Sequence, residues 1–210
     1  MTEYRWINDA PIEEVVMENR WTALRASFRT SLANAKIATP NPPVAGKPLA
    51  PTEADRTKWN HRIGEAERVE AQMNFDLKCK HLAYIFMGSA AGLMQLDVVT
   101  DRGAYIRDFT TFPPGTGAGD ALMEWAVNLA ATETWGAPAV SLMAYAGAVP
   151  RYKALGFTAP RGEQGDTIPM VLKPATRADI WAQVRGEWRI AAFIGEQYFV
   201  ARGDPGFTTQ

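Results

Sequence analysis

Hydrophobic and polar positions in this chain follow two periods, and the switch between them divides it. Ile12, Val15, Val16, Trp21, Leu24 and Phe28 recur at helical spacing as far as Leu32. Asn8, Asp9 and Pro11 precede that run and Glu13 and Glu14 follow, the chemistry of a helix start with acid in its first turn. Upstream, Glu3 to Ile7 alternates enough for a short first strand. The next segment, ATPNPPVAGKPLAPTEAD, holds five prolines and is neither helix nor central strand. Its Thr39 to Pro51 part reads as an exposed loop joining two helices. Thr52 with Asp55 then resembles a capping box opening a polar helix from Glu53 to Lys78, with one narrow buried stripe.

From His81 the period falls to two. HLAYIFMG, LMQLDVVT and AYIRDFTTF are β-rich runs separated by glycine-containing turns. Turns that short make antiparallel neighbours, so these runs form a meander. A helix is predicted over Gly117 to Trp135, with Leu122, Met123, Trp125, Ala126, Leu129 and Ala130 on one broad face. APAVSLMAY is a continuous apolar run, expected to be a strand buried on both faces. A short helix from Gly147 to Leu155 stops at Gly156, and GFTAP and DTIPMVLKP follow as two last strands. The fold class expected is α/β (α+β): a mixed, mostly antiparallel sheet of about seven strands flanked by helices. A helical crossover makes the fourth and fifth strands a parallel pair.

Composition narrows the chemistry. Over 210 residues the formal net charge is -1, so nothing in bulk attracts nucleic acid or an anionic membrane. With one cysteine, Cys79, and two histidines, His61 and His81, neither an intrachain disulfide nor a Cys/His metal site is expected. Cys79 reads as a small hydrophobe, and the histidines as a surface and a strand residue. No spanning apolar run or signal segment is visible, and a cytoplasmic location is the expectation.

One junction is rich in glycine. In FTTFPPGTGAGDALMEW a strand meets two prolines, then Gly115, Gly117 and Gly119, then a helix. Free amides, a helix dipole and a backbone without Cβ make a phosphate cradle, although such loops also serve as plain turns. A Walker loop needs Lys and Ser/Thr after the last glycine, where this chain has Asp120 and Ala121. A dinucleotide fingerprint needs GxGxxG after a βαβ start, and neither is present.

The segment AYAGAVPRYKALGF resembles the A-x-x-x-Y-x-x-x-G-F pattern of the GCN5-related N-acetyltransferase (GNAT) family, through Ala148, Tyr152, Leu155, Gly156 and Phe157. PGTGAG, Pro114 to Gly119, is similar to that family's R/Q-x-x-G-x-G/A loop, and the predicted element order matches over residues 2–174. The resemblance implies an acetyltransferase-like domain over 1–174, with the proline-rich loop 39–51 and an extension over 175–210. It implies transfer of an acetyl group from acetyl-CoA, or of another group from its acyl-CoA, to a primary amine on a small molecule or peptide. It further implies that Gly115, Thr116, Gly117, Ala118, Gly119 and Asp120 hold the pyrophosphate. Phe109, Thr110 and Thr111 would pair with the pantetheine arm where the fourth and fifth strands splay, and an amide near Phe109 or Thr110 would face the oxyanion. Tyr152 takes the place of the general acid, with a surface packing role as its alternative. Asp108 is the candidate base and Asp97 the runner-up; a strand carboxylate can equally be a salt-bridge partner. Alternation aims Asp108 opposite to Arg107 and Phe109.

The chain departs from that family pattern at three places. Pro114 stands where the loop has arginine or glutamine, Tyr145 where many members have a cofactor-contacting asparagine, and Asp120 puts a carboxylate at the helix start, with a helix cap as its alternative role. A non-catalytic CoA-binding or structural protein of the same fold is the alternative these changes favour. Trp6, Trp21, Trp59, Trp125 and Trp135 read as core or helix-packing residues. The tail after Pro174 reads as a helix over Arg177 to Val184, then a hairpin of WRIAAFI and QYFVA turning at Gly195-Glu196. Such an aromatic extension suits a homodimer contact or pocket closure.

Overall fold

The computed structural model describes residues 4–7, 10–37, 53–101, 103–114, 116–136 and 138–191, with side chains from Ile12 onward. The proline-rich loop, Thr52, Gly115, the Trp6 side chain and the QYFVA segment with its turn lie outside these residues. Seven strands form one sheet in sequential order: β1 (Tyr4–Ile7), β2 (Ala10–Glu14), β3 (Lys80–Phe86), β4 (Ser89–Val99), β5 (Gly103–Thr111), β6 (Val140–Tyr145) and β7 (Thr167–Leu172). All neighbours are antiparallel except β5 and β6, which α3 (Ala118–Glu133) joins as a parallel crossover. This is the class and the architecture that the resemblance implied.

The sheet carries a core on each face. On one, α1 (Glu18–Ile37) lays Trp21, Leu24, Phe28 and Leu32 against Ala83, Leu93 and Phe112. There α2 (Glu53–Gln72) contributes the narrow stripe of Ile63 and Ala66, and its buried Glu70 is gripped by Arg25 (2.6 Å) and Arg29 (2.7 Å) of α1. Two guanidiniums on one buried carboxylate offset a desolvation that neither ion would meet unaided. On the other face, Leu122, Met123, Ala126, Val127 and Ala130 of α3 cover Leu82, Met94, Leu96 and Ile106.

Five expectations give way here. The first helix begins at Glu18, because Ile12 pairs with Tyr84 and makes Ala10–Glu14 a second strand. Helical spacing among Ile12, Val15 and Val16 was coincidental; Val16 is exposed. The polar helix stops at Gln72, short of Lys78. GFTAP contributes one bridge, Thr158 to Val171, in place of a strand, so the seven strands are a different set from those expected. The run APAVSLMAY is buried on one face only: Val140, Leu142 and Ala144 point in, while Met143 is 46% exposed. Trp135, expected to pack, is 82% exposed.

The tail also differs from its expectation. Residues 174–176 form a 3-10 turn, and β8 (Trp181–Val184) pairs with β9 (Glu187–Ile190) around Arg185-Gly186. Both turn residues have positive φ, 54° and 84°, as a two-residue hairpin requires. The hairpin docks on α3 by hydrogen bonds that mimic a strand edge. Asn128 accepts from the Trp188 amide at 2.7 Å and donates to its carbonyl at 2.9 Å, while Glu124 takes the Ile190 amide and the buried Arg189.

Candidate active site

The two edges of β5 set the geometry. Toward β4 the ladder runs the whole strand, from Val99↔Gly103 to Gly92↔Thr111. Toward β6 it covers only Ala104↔Val140 to Ile106↔Leu142, although β5 continues to Thr111 and β6 to Tyr145. The strands therefore splay beyond Ile106. Phe112 donates its amide to Ala91 at 2.9 Å, and backbone groups alternate sides along a strand. The N–H and C=O of Thr110 consequently serve the β4 ladder, while those of Phe109 and Thr111 point into the gap. Of the three backbone positions expected there, two face it and Thr110 does not.

A bulge shapes the same strand. Gln95 pairs with Asp108 and Leu96 with Ile106, so Arg107 is the extra residue. Ile106 and Phe109, three apart, both pack on the α3-side core as a result. Strict alternation around Asp108 is broken. Asp108 stands opposite Gln95, whose side-chain amide is anchored on the Asn74 carbonyl in the loop after α2. That places it on the α1/α2 face, since Thr110 two residues on pairs with Leu93 of that core. Burial raises the Asp108 carboxyl above its ordinary range, against the lowering influence of Arg107. Asp97 is committed elsewhere: Arg107 Nε donates to it at 2.7 Å and Cys79 Sγ at 3.1 Å. Burial first, then Asp97, pushes that thiol up to about 12, an inert state consistent with its reading as a small hydrophobe.

The start of α3 abuts the open edge. Gly117, at φ 74°, precedes the first turn and supplies no side-chain cap; the Ala118 amide donates instead to Thr116 Oγ1 at 3.5 Å. The loop is held from behind, where buried Tyr84 donates to the Thr116 carbonyl at 2.9 Å and Thr116 Oγ1 to that of Pro113 at 3.1 Å. Gly92 lets the helix come this close; a Cβ there would stand 2.8 Å from Leu122 and 3.2 Å from Ala118. At Gly119 three elements converge. A Cβ on it would lie 3.8 Å from the Phe109 ring, 3.9 Å from Thr111 Cγ2 and 4.0 Å from Arg151 Nη2. Asp120 does not cap the helix. Its carboxylate is ion-paired with Arg151 of α4 (Val149–Ala154), and burial raises it while Arg151 lowers it.

Tyr152 follows Arg151 on α4, the helix entered directly from the end of β6 through the 146–148 turn. Its ring packs edge-on to Phe157 at 5.5 Å, and burial pushes the phenol up to about 12. Tyr145, at the end of β6, is 38% exposed and carries the Arg68 guanidinium 4.0 Å above its ring. His81 is buried between Trp21 and Phe75, with burial holding it below its ordinary value; His61 is exposed. Among the described residues no group of three acidic, histidine or cysteine side chains could hold a metal ion, and no helix is long and apolar enough to cross a membrane. Sequence reasoning missed Arg151, Tyr84 and Gly92. Arg151 sits inside the pattern that located Tyr152, but only the folded chain shows it meeting Asp120.

Comparison with solved structures returns acetyltransferases at low identity. The chain is similar to the GNAT domain of S. lividans PAT, at 12% identity and a TM-score of 0.49, over 81% of this chain and 96% of that one. It is also similar to Mycobacterium smegmatis RimJ in complex with CoA-disulfide, at 14% and 0.46, over 80% and 84%. A third is the PaiA N-acetyltransferase from Thermoplasma acidophilum in complex with coenzyme A, at 14% and 0.43, over 77% and 98%. No family model matches the sequence, and no curated protein does.

Proposed function

We propose that this chain moves an acyl group, acetyl in the simplest case, from its coenzyme A thioester to a primary amine by direct attack in a ternary complex. The observation that carries the reading is the open edge of β5, where Phe109 and Thr111 present backbone donors and acceptors beside a helix start whose N-cap residue is a glycine. An extended ligand with amides along its length and an anionic end suits both features. Its amides continue the sheet as an added strand would, and its anion meets the amides over 116–120. Coenzyme A has that construction, and its thioester supplies an acyl carbon open to nucleophiles.

The remaining work falls to the chain. Asp108, on the α1/α2 face, takes the proton of the acceptor ammonium directly or through one water. Its burial makes it a better base than a solvated aspartate. The Phe109 amide points into the gap and is the donor suited to a developing oxyanion. Tyr152 keeps its proton throughout the physiological range. An ordinary thiol sits near ~8.5, so complete transfer from this phenol is uphill by roughly 3–4 pK units, about 5 kcal/mol. Tyr152 therefore acts chiefly as a hydrogen-bond donor to the departing sulfur, which takes its proton from the nitrogen of the collapsing tetrahedral intermediate. The acceptor, a small molecule or peptide, approaches from the α1/α2 face.

Calorimetry with CoA, paired with thiol release over a panel of primary amines, tests this. Binding in the micromolar range with release in the presence of an amine is expected; a dissociation constant weaker than millimolar sinks the proposal. Pro114, which can donate no hydrogen bond, and Asp120 in the first helical turn favour a second reading as a CoA-binding domain without turnover. Tight binding with no release for any amine or acyl group would assign it.

A further inference from the structure

The proposed site leaves one charge unexplained. A carboxylate in the first turn of α3, where a phosphate group would dock, repels the ligand unless something neutralises it. Arg151 does so from another element. Its guanidinium pairs with Asp120, stands 4.0 Å from the Cβ position of Gly119, and leaves the Arg151 side chain 61% exposed. The same point is bordered by Phe109 and Thr111 on the open edge of β5.

Building on the reading above, we infer that Arg151 receives the diphosphate of the CoA-type ligand, and that Asp120 is its positioning residue in the free protein. The pair is neutral as it stands. An arriving diphosphate offers the planar guanidinium two oxygens in a bidentate arrangement, so Arg151 exchanges one charge-assisted partner for a better one. Asp120 competes for the same cation and thereby weakens binding. This accounts for two departures together: the loop does without a leading arginine or glutamine at Pro114 because a cation reaches it from α4, and the acidic residue is tolerated because it stations that cation.

The test is calorimetry with CoA and with 3′-dephospho-CoA at low and high ionic strength, on wild type, Arg151→Gln and Asp120→Asn. Arg151→Gln is expected to weaken both ligands tenfold or more and to flatten the salt dependence. Asp120→Asn is expected to tighten both about threefold at low salt, a gain that fades as salt rises. An Arg151→Gln affinity within twofold of wild type, or weaker binding by a folded Asp120→Asn, overturns the assignment and leaves acyl transfer standing. A loss confined to CoA would move the contact to the 3′-phosphate and overturn it equally. Should Arg151→Gln fail to fold, Asp120→Asn decides by its sign. Wild type that binds neither ligand defeats the parent reading instead.

Discussion

The two edges of β5 were built by one stretch of sequence, yet one is closed and the other open. Against β4 every residue from Gly103 to Thr111 other than the bulged Arg107 has a partner, and Leu93, Met94 and Leu96 behind that ladder are fully buried. Against β6 pairing ends at Ile106. Stability is concentrated where backbone groups find each other, and capacity to bind where they do not. A sheet that satisfied both edges would be sturdier and have nothing to offer a ligand.

Amide exchange probes this contrast with the largest effect. Thr110, donating into the ladder, should be protected by roughly 10³ or more relative to Phe109 and Thr111, since ladder amides open only in large-scale unfolding. Saturating CoA should slow the two open-edge amides selectively. Equal protection in the free protein would erase the distinction.

Asp108→Asn should lower kcat by about 10² to 10⁴. It should also raise the melting temperature at pH 7. Burial lifts the folded-state value of this carboxyl above that of the unfolded chain, so its protonated form is favoured by folding. The penalty of the charged form is absent below the ordinary aspartate value near ~3.9 and grows as pH rises through the folded value. The stabilisation by Asn should accordingly vanish in melts near that acid limit. Unchanged turnover would remove Asp108 as the base.

On the closed edge, Leu93→Ala should cost about 2–5 kcal/mol of stability in denaturant titrations while the folded fraction keeps its CoA affinity. A parallel loss of affinity would mean the two edges are coupled. At the junction, Gly119→Ala meets only ordinary contacts within the protein and gains helix propensity, so its melting temperature should hold or rise. Its CoA affinity should fall about tenfold, because the added methyl occupies the space where three elements meet. Tyr152→Phe has the smallest expectation, a loss in kcat of about tenfold with binding retained, and an unchanged rate across pH would retire it.

Legibility in the sequence followed locality. The β3–β5 meander and α3 could be read because tight glycine turns and a long amphipathic face are encoded within a few residues. The start of α1 could not, since only pairing with Tyr84 reveals that Ile12 is a strand residue. The first strand of the terminal hairpin, Trp181–Val184, was mistaken for helix because its turn uses Arg185-Gly186 in place of the commoner Asn-Gly. Glu124 and Asn128, an i, i+4 polar pair on an apolar helix, were the available clue that α3 receives a strand edge. At the site, the glycines and Tyr152 stood out by type and spacing, whereas the Asp97 alternative disappeared only once Arg107 and Cys79 were seen to engage it.

By itself the sequence determined the order of elements over the central chain, the glycine-rich entry to α3 and the candidate chemical groups, because short-range sterics and hydrophobic period dictate those. Tertiary structure alone decided that β5 and β6 part after Ile106, that Arg107 bulges, and that Asp120 meets Arg151. Those outcomes depend on how whole elements dock, a balance of packing across two faces of one sheet that no local window of residues contains.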